Sequence, residues 1–156
     1  MKEYSRGKYI LLCGQVPWDA SVEGSNHIEW LEETIERLKQ KTEMGIVFRP
    51  HPLSDLPPFR GAGYSRIRLE EDIAGAHAVV TFNSNTGVDA ALAGKPVFAA
   101  DEGSMVWNLC NRDLKDIKEP KYWPMNDRAQ WAFNLAYAQW TPLEMREGLA
   151  WKHLFR

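Results

Sequence analysis

The stretch that decides the fold is "FNSNTGVDAALAGKPVFAAD", residues 82–101. It reads as the end of a buried strand, a polar bend, a helix of small residues and a second strand. The run just before it, "AVVTF" (78–82), is apolar apart from Thr81 and reads as a buried strand. "PVFAA" (96–100) is its counterpart after the helix, which is predicted over 86–93 with Gly94 placed to end it. One capping residue and one glycine would satisfy such a bend. Asn83, Ser84, Asn85, Thr86 and Gly87 instead supply two amides, two hydroxyls and a permissive backbone position, a composition suited to a ligand.

Working outward, "KYILLCGQ" (8–15) and "IVFRPHP" (46–52) are further short apolar runs closed by turn residues, and "SRIRL" (65–69) is a weaker strand. Between the first two lies "SNHIEWLEETIERLKQK", with Ile28, Leu31, Ile35 and Leu38 at helical spacing and charges opposite. "EEDIAGA" (70–76) is a shorter helix. Strands alternating with helices predict an α/β fold: a Rossmann-like three-layer α/β/α sandwich around a mostly parallel sheet. A single domain is expected over 1–156, with its core at about 8–103 and a helical, Trp-rich tail at about 104–156. Within the tail, Asn126 is placed to cap a helix reaching about Trp140. "TPLE" (141–144) carries a capping-box start for a last helix. Trp123, Trp131, Trp140 and Trp151, with Phe133, Tyr137 and Phe155, are expected to pack a core; a surface stripe of them would be an interface.

Parallel sheets bind ligands beyond the carboxyl ends of their strands. That rule gathers three polar segments on one rim. The first is the bend at 83–87 with Asp89 behind it. There the helix start offers unpaired N–H groups to an anion, and Asp89 can accept from ribose or sugar hydroxyls. Thr86 with Asp89 as a plain capping arrangement is the alternative. The second is "FRPHP" (48–52), where Arg49 can grip phosphate oxygens and His51 can donate or titrate, held by Pro50 and Pro52. The third is "GQVPWD" (14–19), contributing Gln15 and Asp19, the latter a base, an orienting group or a turn residue. Trp18 is expected in the core. His27 and His77 look structural, and His153 complements the dipole of the last helix.

The chain of 156 residues is 44% hydrophobic and 26% charged, as in an ordinary globular protein. A formal net charge of -2 does not favour duplex DNA or an anionic membrane surface, although a nucleic acid remains a conceivable acceptor. No apolar run approaches the roughly 20 residues of a membrane span. Cys13 and Cys110 show no metal-like spacing, no histidine pair has ligand spacing, and no Walker-type lysine is present, so a metal-free site in a reduced cytoplasm is expected.

"FRPHP" followed some thirty residues later by "FNSNTGVDAALAGKPVFA" resembles the capsule polysaccharide glycosyltransferases that transfer Kdo from its CMP-activated form, specifically the carboxyl-terminal, donor-binding half of their GT-B architecture. The resemblance covers about residues 9–101 and runs through Gln15, Asp19, Arg49, His51, Asn83, Ser84, Gly87, Asp89, Gly94, Lys95 and Pro96. It implies a metal-independent transferase whose donor substrate is a CMP- or UDP-type sugar and which needs no separate cofactor. His51 and the Asn83–Ser84 helix start would hold the phosphates, and Asp89 would meet ribose or sugar. Asp19 and His51 are the residues expected to be catalytic. Arg49 stands where those enzymes usually have Lys. The half that supplies their acceptor site and base has no counterpart here, so a half enzyme is expected, with an oligomer or second chain completing the cleft. The alternative expectation is a nucleotide- or phosphate-binding module without turnover, or an oligomeric scaffold.

Overall fold

The computed structural model describes residues 1–155. Five strands form one all-parallel sheet: β1 (Tyr9–Cys13), β2 (Gly45–Arg49), β3 (Gly63–Tyr64), β4 (Ala76–Thr81) and β5 (Val97–Ala99), in the spatial order β3-β2-β1-β4-β5. Six α-helices accompany them: α1 (His27–Lys41), α2 (Leu69–Gly75), α3 (Thr86–Leu92), α4 (Met125–Tyr137), α5 (Pro142–Arg146) and α6 (Leu149–Leu154). This is the Rossmann-like α/β/α arrangement expected from the sequence. β1 is central, flanked by β2 on one side and β4 on the other. The chain leaves β1 toward one face and β4 toward the other, which makes the gap between these two strands the topological switch point.

The alternation of side chains along each strand feeds two cores. Ile10, Leu12, Phe48, Ala78 and Val80 face α1, where Leu31, Ile35 and Leu38 meet them, and Leu56, Phe59, Leu114 and Ile117 close the edges. Leu11, Cys13, Val79, Val97 and Ala99 face the other way, under Ile73 of α2 and Ala90 and Ala91 of α3. Trp123 and Trp131 pack against this second core, as expected of tail aromatics. Arg128 carries the tail to it. Buried in α4, it donates to the carbonyls of Ala91, Trp123 and Lys2, so a cation satisfies the carboxyl end of α3 and the amino-terminal segment together.

Several local expectations are corrected. The edge strand falls at Gly63–Tyr64, not 65–69. Ser65 N–H adds one bond to Phe48 O, and the chain then runs exposed through Arg66, Ile67 and Arg68 into α2. Helix α1, capped by Asn26, buries His27, Leu31, Thr34, Ile35 and Leu38, which leaves Ile28 outside at 43% exposure. Helix α4 begins at Met125 behind Pro124 without a side-chain cap from Asn126, and ends at Tyr137. The capping box at Thr141 and Glu144 forms, but the last helix is two, divided at Gly148, whose φ of 73° breaks the helical backbone. Beyond Trp131 the tail exposes rather than buries its aromatics: Phe133, Tyr137, Trp151 and Phe155 all face solvent. His153 lies in the last turn of α6, against Tyr137 and Trp140.

Among the described residues no helix is long and apolar enough to cross a membrane.

Gly94 shows how tightly the amino-terminal segment is seated. Its φ is +78°, and a Cβ there would lie 2.4 Å from the Glu3 carbonyl oxygen. A left-handed non-glycine residue alone costs about 1–3 kcal/mol. Gly94→Ala is therefore expected to lower the urea-unfolding free energy by at least that amount. Gly45→Ala, whose Cβ meets nothing within 4 Å, should change it by less than about 0.5 kcal/mol. Equal effects in the two variants would contradict the seating of residues 1–5 beneath α3.

Candidate functional site

The exits of β1, β2 and β4 meet at the carboxyl rim of the sheet. A cleft of about 210 Å³ there is lined by Gly14, His51, Ser84, Asn85, Thr86 and Asp89, with Cys13, Arg49, Leu69 and the flanking prolines Pro50 and Pro52 around them. It adjoins a hollow of about 300 Å³ bordered by Gln15, Asp19, Ser21 and Asn83, sharing His51, Ser84 and Asn85. The two polar segments that sequence spacing left thirty residues apart thus face one another across a single opening.

Gln15 and Asn83 build the frame of that opening. Gln15 Nε2 donates to Asn83 Oδ1 at 2.8 Å, and Asn83 N–H donates to Gln15 Oε1 at 3.1 Å, so two amides bolt the end of β1 to the end of β4. Gln15 Nε2 also reaches Ser21 Oγ, while Asn83 Nδ2 donates to Ser21 O and to Asp101 Oδ1. Gln15 N–H donates to His27 Nε2 at 2.9 Å. That bond requires a neutral imidazole, and burial holds the His27 pKa below its usual range. These bonds give Gln15 and Asn83 a framework role while both still border the hollow. The sequence marked them as ligand groups because a glutamine and an asparagine at strand ends offer the same amides to either use.

Arg49 is likewise committed. Its Nη1 donates to the carboxylate of Asp72, which is 1% exposed, and to the carbonyl of Ile67; Ser65 Oγ donates to the same carboxylate oxygen. Here the expected phosphate grip is corrected at the level of that nitrogen: it locks β2 to α2. Asp72 was missed by sequence reading because an acid in the first turn of a short helix looks like any exposed dipole partner.

Gly87 is buried in the first turn of α3, and a Cβ on it would stand 2.9 Å from Val106 Cγ1, so packing alone accounts for a glycine there. The helix start is partly self-satisfied. Thr86 N–H donates to Ser84 Oγ, Gly87 N–H to Ser84 O and Val88 N–H to Asn85 O. The Thr86–Asp89 cap does not form; Asn85 is the cap residue, in helical conformation and without a side-chain capping bond. Trp18, expected in the core, is exposed on the loop after β1.

What remains free to meet a ligand is a ring of small polar groups. His51 Nδ1 accepts from Leu53 N–H at 3.1 Å, which places the proton of a neutral ring on Nε2 and makes that nitrogen a donor. Ser84 and Thr86 hydroxyls bond one another at 3.2 Å and border the cleft. Asp19 caps the 3-10 turn Ala20–Val22 through Ser21 N–H at 2.8 Å. Its hydrogen bonds from Ser21, backbone first, hold its carboxyl below the usual range, with His51 nearby adding to the effect. Such a carboxylate accepts hydrogen bonds well and is a weak general base. Asp89 is the opposite case, raised by burial and then by Glu70. Burial pushes the Cys13 thiol up to about 12, so it lines the cleft as an inert group. His77, at the amino end of β4, is tied to Ile117 O and takes no part. Among the described residues no cluster of His, Cys, Asp or Glu is placed to hold a metal ion.

No protein-family model and no curated protein matches the chain. Among solved structures it is similar to the Thermosulfurimonas dismutans KpsC, a beta Kdo 2,7 transferase, with 23% identity and a TM-score of 0.49. The match covers 80% of this chain and 49% of that one, so the chain spans about half the length of that structure.

Two outcomes are expected. Arg49→Ala strands a buried carboxylate and should cost about 3–5 kcal/mol in urea unfolding. Replacing Arg49 and Asp72 together by Met and Leu should restore most of it; a double variant no better than the single one would show that the pair is not the anchor. For pH, the folded pKa values of His27 and His77 lie below their unfolded ones. The unfolded chain therefore binds more protons below an unperturbed value of about 6.5, and stability falls as pH drops through that point. The thermal midpoint is expected to fall from pH 7.5 to 5.5, and His27→Gln to flatten the dependence. An identical slope in the variant would contradict a neutral, buried His27.

Proposed function

We propose that the chain binds a nucleotide-activated sugar at this rim and acts as the donor-binding half of a metal-independent glycosyltransferase. One observation carries the reading. The exits of β1, β2 and β4 at the switch point converge on a cleft whose free groups are donors and acceptors of the kind that fit phosphate and sugar oxygens. His51 Nε2 and the Thr86 hydroxyl, which accepts from Ser84 Oγ–H, supply donors on one side; Asp19 and Asp89 supply acceptors for hydroxyls on the other. The motif resemblance of residues 9–101 to CMP-Kdo-using transferases supports the same reading. The acceptor site and the second wall of the cleft lie outside this donor-binding half. Stabilisation of the departing nucleotide falls to His51 and the polar bend at 84–86.

A second reading, ligand capture without transfer, is favoured by Asp19. Its carboxylate is occupied in capping and held below its usual pKa, which suits holding a hydroxyl better than taking its proton.

Calorimetric titration with CMP and UDP sugars separates the outcomes. Saturable binding is expected, weakened about tenfold in His51→Ala and in Ser84→Ala, the equivalent of about 1.4 kcal/mol each. Arg49→Ala is avoided because it removes the Asp72 anchor. Absence of binding at millimolar nucleotide sugar would end both readings. Binding without sugar transfer or donor hydrolysis would select the second.

A further inference from the structure

A separate cavity of about 420 Å³ runs between α2 and α3 on the sheet face that they cover. Leu69, Ile73, Ala74, Leu92 and Ala93 form its walls. The amino-terminal segment closes one end, where Lys2 N–H donates to the carbonyl of Leu92 in the last turn of α3. That end holds Lys95, only 4% exposed. Its ammonium donates to the carbonyl and the hydroxyl of Ser5, both at 2.9 Å. Among the described residues no carboxylate lies within ion-pair distance of it. Lysines are almost never fully buried unless paired, and an ammonium has three protons to place. Two neutral acceptors leave one donor and the whole charge uncompensated. Burial, with Lys2 nearby, holds this ammonium below its usual pKa, as an unanswered charge requires.

The other end is of opposite character. There the groove reaches Leu69 and Asp89, which also line the cleft at the rim, and Glu70 sits beside Asp89. One end is therefore basic, the middle apolar and the mouth acidic. The volume is that of a small-molecule site and too small for a helix of a partner protein. Inorganic phosphate would leave the apolar walls wet, and a second anionic group would meet Glu70 and Asp89.

We propose that this groove binds a small amphipathic monoanion, a carboxylate with an unbranched apolar tail, its head paired with Lys95 and its tail along Ile73, Leu92 and Leu69. The proposal is independent of what the rim cleft binds.

The test is calorimetric titration of the full chain with sodium octanoate, and with octanedioate and octylamine as comparators. One saturable octanoate site is expected, with at least tenfold weaker binding of octanedioate and no binding of octylamine. Lys95→Met should weaken octanoate at least tenfold. Because that variant also frees Ser5, Ala74→Trp provides an independent block: position 74 is exposed on α2 and lines the groove, so an indole there is expected to take up groove volume while the Lys95 and Ser5 side chains stay unchanged. It should abolish octanoate binding with little change in thermal midpoint. Octanoate that fails to saturate, or that binds either variant as tightly as the native chain, overturns the proposal, as does octylamine binding equal to octanoate.

Discussion

The pair of amide bonds between Gln15 and Asn83 is the contact on which the rest of this architecture turns. It joins β1 and β4 where the chain departs toward opposite faces of the sheet, the one place in an open α/β fold where two neighbouring strand exits diverge and leave a crevice. That bridge ties the two loops at the crevice together. With it, Ser21 and Asp101 are drawn into the same network, and the imidazole of His27 supports Gln15 from beneath. The cost of leaving a buried donor unmade, about 1–3 kcal/mol for a neutral group, makes the arrangement close to all or none.

A second consequence concerns charge. Arg49, which borders the cleft, is paired through Nη1 with Asp72 within the protein. The other polar groups bordering the rim are neutral donors and carboxylates, which suit hydroxyl-rich, singly or doubly charged ligands better than a polyanion. The formal charge of -2 on the whole chain points the same way. The aromatic surface of α4 to α6 stands apart from this chemistry. Its exposed Phe133, Tyr137, Trp151 and Phe155 are held to the body chiefly through Arg128 and Trp131.

Much of the fold was legible because it rests on local pattern. The short apolar runs at 10–13 and 78–80, bounded by turn residues, read as strands buried on both faces, and the Thr141–Glu144 box announces its helix by chemistry alone. Several of the differences share one cause: a partner far along the chain. Gly87 looked like a ligand residue until Val106 was seen above it. Arg49 looked free until Asp72, 23 residues on, came beside it. Ile28 fitted the helical period but sits one position round from the face that the sheet covers, whereas His27 does not look apolar yet is buried because Gln15 needs its acceptor. Arg128 carried no signal at all. Its three carbonyl partners belong to three separate segments, and nothing in a linear sequence marks carbonyls left over at a helix end.

The account stands on the rim between β1, β2 and β4 being where a nucleotide sits. Backbone amide chemical shifts, followed residue by residue while CMP is titrated into the isotope-labelled chain, test that most directly. The account predicts concentration-dependent shifts centred on Gly14, His51, Ser84, Asn85 and Thr86, with α4 to α6 unmoved. Shifts centred on the α1 face or on the tail, with those five amides silent, would contradict it.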